Sequence, residues 1–195
     1  MFEETTIVSP IFDHKLHRLM WMILAYNPDL NKEDVIAILC EEGLIPLEDM
    51  EAIHASHSCF ACRYARLALI AKQDFLCMCL CKHCPLAISD NCEMNGCLDG
   101  IYSKYIGLID DIQLNYRDKF SDYIVRPIDP FGKYYQKFAG LTLEGAIQLH
   151  RMYCRAIADF PLKENVDVKT YNRDEEEKIR AISKEYIPSS VVIWW

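Results

Sequence analysis

The chain has 195 residues, 51% of them hydrophobic, with 21 Lys+Arg against 29 Asp+Glu and ten cysteines. That length suits one domain, or one with a small appendage, and the apolar share is too high for a disordered chain. A net charge of −8 argues against a general nucleic-acid binder or an anionic-membrane protein. No apolar run approaches the ~18 residues of a spanning helix, so no membrane association is expected.

The first residues, Met1-Phe2-Glu3-Glu4-Thr5-Thr6, are acidic where a secretory signal would be basic and then apolar. A cytoplasmic location follows as an expectation. Asp13 caps a first helix whose Leu16, Leu19, Met20, Ile23 and Leu24 recur at helical spacing until Asn27-Pro28 stops it. Asn31 with Asp34 opens a second helix carrying Val35, Ile36, Leu39 and Cys40, with Gly43 at its C-terminal end. Pro46 fits the first turn of a third short helix through Ile53.

This stretch is acidic. Residues 1–100 hold 7 Lys+Arg against 15 Asp+Glu, while residues 101–195 hold 14 of each. Glu33, Asp34, Glu41 and Glu42 read either as a solvated helical face or as a surface for a basic protein partner.

Eight of the ten cysteines fall between Cys59 and Cys97. In a reducing compartment such clustering points to metal ligation before disulfides. Cys59-Phe60-Ala61-Cys62 is followed, 18 residues on, by Cys81-Lys82-His83-Cys84-Pro85. Each C-x-x-C turn can supply one edge of a tetrahedral zinc site, and four thiolates leave no open position. The expectation is therefore a structural Zn2+ held by Cys59, Cys62, Cys81 and Cys84. Cys77, Cys79, Cys92 and Cys97, with His57 and His83, are candidates for a second metal or substitute ligands. They equally suit buried apolar sulfurs, the reading preferred for Cys40 and Cys154. Residues 63–72 look helical, so Cys59 and Cys62 also resemble a dithiol pair at a helix N-terminus. The second C-x-x-C and the absence of strand–helix–strand alternation favour zinc.

Beyond the cysteines, Ile101, Tyr105, Leu108, Ile109, Ile112 and Tyr116 form a helical stripe, and Arg126–Gly132 reads as a loop. Thr142 caps a long helix with Leu143, Ala146, Ile147, His150, Tyr153, Cys154 and Ile157 on one face, where His150 suits a buried hydrogen bond. A highly charged helix spans Asp174 to Glu185 and stops before Pro188. The tail Ser189–Trp195 is apolar, and its Trp194 and Trp195 either dock on the core or offer a contact for a second copy or a partner. The fold class is mainly α, a helical domain with an inserted cysteine-rich zinc knuckle. Its parts are an N-terminal helical region (1–56), a cysteine-rich module (57–98) and a C-terminal helical region (99–195) within one compact unit.

Three segments carry a resemblance: His14-Lys15-Leu16-His17-Arg18-Leu19-Met20-Trp21, the paired C-x-x-C motif from Cys59-Phe60-Ala61-Cys62 to Cys84-Pro85-Leu86, and Ala156–Pro161. They are similar to uncharacterised zinc-binding proteins of bacteriophages and prophages. The resemblance covers under half the chain and implies a phage-type origin and zinc. The functional expectation is a zinc-stabilised, non-enzymatic protein that binds a host or phage macromolecule, such as an inhibitor of a host defence system. A nucleic-acid-binding zinc module is the alternative, with Arg63, Arg66, Lys72, Lys82 and His83 near stacking rings of Phe60 and Tyr64. A dithiol redox or zinc enzyme is the third reading. P-loop, H-E-x-x-H, nucleophile-elbow and dinucleotide motifs are missing, and the zinc-deaminase order of residues is not met.

Overall fold

The computed structural model describes residues 9–46, 59–72, 80–87, 97–117 and 140–193, without the side chains of 97–100, 102 and 103. The chain is mainly helical. Its helices are α1 (His14–Tyr26), α2 (Lys32–Glu41), α3 (Phe60–Ala71), α4 (Cys97–Asn115), α5 (Leu143–Ala158) and α6 (Arg173–Tyr186), with a 3-10 turn at Leu80–His83. Among the described residues, strand pairing is limited to isolated bridges, and no helix is long and apolar enough to cross a membrane. The short helix expected from Pro46 to Ile53 and the loop at Arg126–Gly132 lie outside the described residues.

The caps expected at Asp13, Asn31 and Thr142 form where the sequence places them. The Asp13 carboxylate accepts from the Leu16 N–H, and Asn31 and Asp34 form a reciprocal capping box. Thr142 accepts from the Gly145 N–H, and Asn172 with Glu175 repeats the box at the start of α6. Gly43 adopts φ +68° just after α2, the left-handed conformation that favours glycine at a helix end.

The spacing predicts one apolar face on α1, but the structure encloses the whole helix. Leu16, His17, Leu19 and every residue from Met20 to Ala25 are buried. The reason is tertiary, since α2, α3, α5 and α6 all pack on α1. Buried His150 bonds the Leu24 carbonyl through Nε2 at 2.7 Å, the hydrogen-bonded core histidine its position suggests. His17 sits between the rings of Phe12 and Trp21, at centroid distances of 5.5 and 6.4 Å. Burial outweighs the neighbouring Ile157 carbonyl and pushes its pKa down to about 3.

Two seams close the ends of this core. The Phe12 N–H bonds the Asp167 carbonyl and the Lys169 N–H bonds the Phe12 carbonyl, at 2.7 and 2.9 Å. Asn27 Nδ2 donates to both Ile23 O and Tyr186 O, at 2.8 Å each, tying the C-terminal ends of α1 and α6 together. α6 buries little beyond Ile179 and Ile182 and is anchored by polar contacts: Lys15 to Glu176, and Lys178 to the Glu42 carbonyl. Of the tail, Val191 and Ile193 pack against the core and Val192 points outward, while Trp194 and Trp195 lie outside the described residues.

α4 departs from the expected stripe. It is interrupted at Tyr105 (φ −120°, ψ 20°), and Leu108 is 48% exposed although Ile101, Ile109 and Ile112 are buried. Ile109 and Ile112, beyond the break, stay buried, so Leu108 is exposed as the residue at the edge of the stripe. Where α4 ends, the Thr142 N–H bonds the Tyr116 carbonyl at 2.8 Å, bringing Tyr116 beside the start of α5.

Two predictions follow from this packing. A methyl at Gly145 would lie 2.3 Å from the Tyr116 Cβ, so Gly145→Ala forces α4 and α5 apart. It should cost about 1–3 kcal/mol in urea denaturation. For His17, the unfolded chain binds a proton near pH 6.5 and the folded chain near pH 3, so stability falls as pH drops between those values. Denaturation midpoints of His17→Gln should therefore show a shallower acid dependence than wild type.

Candidate metal centre

The cysteine segments are built from two tight local elements. Cys59 occupies the N-cap of α3 in an extended conformation, and Cys62 is three residues on in the first turn. Their Sγ atoms stand 3.8 Å apart. That is the sulfur–sulfur edge of a tetrahedron with metal–sulfur bonds of about 2.3 Å. The Cys62 sulfur accepts from the Cys59 thiol and the Cys59 backbone N–H, which together with Lys32 and Arg66 lower its pKa to about 6 against burial. The helix N-terminus adds to this effect, as it favours negative charge.

The second pair lies on the 3-10 turn and just beyond it. The Cys84 N–H closes the turn on the Cys81 carbonyl at 3.1 Å, and the Leu86 N–H is bonded to the Cys84 sulfur. Burial raises the Cys84 thiol to about 12, the charge of Cys62 adding to it, and it raises Cys81 for the same two reasons. Cys59 and Cys84 are buried, and Cys62 and Cys81 are half-buried.

α3 packs directly on the 3-10 turn, so the fold makes neighbours of two motifs separated by 18 residues of sequence. The exit from the second motif is stitched to the chain after α5. The Ala87 N–H bonds the Pro161 carbonyl and the Lys163 N–H bonds the Pro85 carbonyl, both at 2.8 Å, with Leu86 buried between. Lys163 Nζ also reaches the Lys82 carbonyl at 3.3 Å.

The donor set suits zinc in kind, and the first pair suits it in length. Among the described residues, no group of three or more Cys, His, Asp or Glu side chains is placed to hold a metal ion. His83 is half-buried on the 3-10 turn. His57, Cys77, Cys79 and Cys92 lie outside the described residues, and Cys97 opens α4 with its side chain outside them. Cys40 and Cys154 are buried on α2 and α5, as expected of core sulfurs.

Of the acidic candidates, Glu33, Glu41 and Glu42 are exposed on or just after α2. Asp34 is partly spent locally, its carboxylate accepting from the Asn31 N–H at 2.8 Å. Of the basic candidates, Arg66, Lys72 and Lys82 are exposed, and Arg63 and Tyr64 are half-buried on the first turns of α3, with Tyr64 edge-on to the Phe12 ring.

The 3.8 Å spacing sets an expectation for the metal-free protein. Diamide should join Cys59 to Cys62 before any other described pair, because small rotations of the two side chains bring the sulfurs together. Peptide mass mapping would identify the bridge, and Cys62→Ser should abolish it. No family model, curated protein or solved structure is similar to this chain.

Proposed function

We propose that the chain is a zinc-stabilised, non-enzymatic protein of phage type that binds a host or phage macromolecule, as an inhibitor of a host defence system would. The observation that carries the zinc part is the approach of two C-x-x-C motifs across the α3–turn contact, with the first sulfur pair at tetrahedral-edge spacing. Cys59, Cys62, Cys81 and Cys84 would hold the metal. Four thiolates fill its coordination, so bound zinc would act as a staple between α3 and the segment that leads to Leu86. The backbone N–H groups of Cys59 and Leu86 would stabilise the thiolate charge. The exposed carboxylates Glu33, Glu41 and Glu42 support a basic protein as partner, since complementary charge raises association rate and specificity.

Metal analysis of protein purified without added metal tests the first part. The expected result is one zinc per chain, lost together with folding in Cys59→Ser and in Cys81→Ser. Two metals per chain would bring Cys77, Cys79, Cys92 and Cys97 into the ligand set. Zero metal would favour the second reading, a dithiol redox protein, which the close Cys59–Cys62 pair at the start of α3 supports. For the partner, a pull-down from host lysate with wild type and with a triple Glu33→Lys, Glu41→Lys, Glu42→Lys variant is decisive. A stoichiometric basic protein lost from the variant is expected, and no stoichiometric partner for wild type would overturn the binding role.

A further inference from the structure

A cleft of about 460 Å³ opens between α4 and α5, and none of its walls is a cysteine. Its volume lies within the range of about 300–1,000 Å³ common for small-molecule sites. One wall is apolar, formed by Leu108 and Ile112 of α4 and Met152 of α5. The lining also includes Arg151 and Arg155, one helical turn apart on α5. Leu108, nearly half exposed, lines this space, as does Tyr105, where α4 is interrupted. Gly107 follows the break two residues on and lowers the local cost of interrupting the helix.

The charge of the cleft is opposite to that of the chain. Asp159 is the carboxylate in its wall, and Arg18 neutralises it from α1 at 2.8 Å. Arg151 is held in place, its Nε donating to the Ala25 carbonyl at 3.4 Å and its guanidinium lying 5.2 Å from the centre of the Tyr26 ring. Among the described residues, no ion pair engages Arg151 or Arg155. Arg155 is exposed and free to turn toward a ligand, while Arg151 supplies a fixed positive charge behind it.

We propose that this cleft binds a small amphipathic carboxylate, with its apolar body on Leu108, Ile112 and Met152 and its head group between Arg151 and Arg155. A guanidinium matches a carboxylate in a two-pronged, charge-assisted geometry, which sets the head-group preference. The apolar wall sets the preference for a hydrocarbon tail over a compact anion. This inference is independent of whether the chain carries zinc.

Calorimetric titration of the full chain with decanoate, below its micelle concentration, tests it. One saturable site per chain is expected, weakened at least about tenfold by Arg155→Glu and by replacing decanoate with decanol. Leu108→Gln should weaken decanoate as well. Both substituted residues are exposed, and circular dichroism would confirm that the variants fold. Absence of saturable decanoate binding to wild type would overturn the proposal. So would equal affinity for decanol, or equal affinity of a folded Arg155→Glu chain.

Discussion

The enclosure of α1 is the constraint on which the rest of the structure depends. A helix with no exposed residue from His14 to Tyr26 must be covered from every side, and here α2, α3, α5 and α6 supply the cover. Removing one large buried side chain from such a helix costs roughly 2–5 kcal/mol, against a total stability of about 5–15 kcal/mol for a typical domain. The enclosure also explains the chemistry of its polar members. His17 remains neutral because burial forbids its charge, while His150 enters the same core from α5 by meeting a carbonyl of α1. Arg18 stays at the margin of the core, where it reaches Asp159.

The cysteine segments are attached to this scaffold rather than hung from it. α3 lies on α1 and carries the first pair, and the second pair follows on the turn that α3 packs against. Buried Leu86 then inserts into the core, fastened by hydrogen bonds on both sides to the chain that leaves α5. A metal bound by the four thiolates would thus hold together parts that the helical core already brings near. Its contribution would be to fix their geometry, in addition to closing the loop of chain between them.

Much of the helical architecture was legible because it is local. Asp13, Asn31 and Thr142 mark helix starts through bonds to residues two or three positions away, and Gly43 marks an end through its own backbone angle. The approach of Cys59 to Cys62 was legible for the same reason, since a turn of four residues sets the sulfur spacing. The all-round burial of α1 was not, because periodicity reports how apolar a face is and not how many neighbours surround it. Leu108 shows the converse failure: its stripe is regular in sequence, but Leu108 at the edge of it is left half exposed while Ile109 and Ile112 are buried. Nor could spacing reveal the close approach of Gly145 to Tyr116, or the pairing of Leu86 with Leu162, which depend on partners distant in the chain.

The segment between α5 and α6 receives both Phe12 and the exit of the cysteine motif, through Asp167 and Lys169 on one side and Pro161 and Lys163 on the other. Chains are synthesised from the N-terminus, so both cysteine pairs emerge well before that segment exists. Until it arrives, Leu86 lacks its bridge partner Leu162, and Cys81 and Cys84 lack the neighbouring Lys163. The order of translation therefore leaves the sulfurs more open at first than in the completed chain, where Cys59 and Cys84 are buried and Cys62 and Cys81 half-buried.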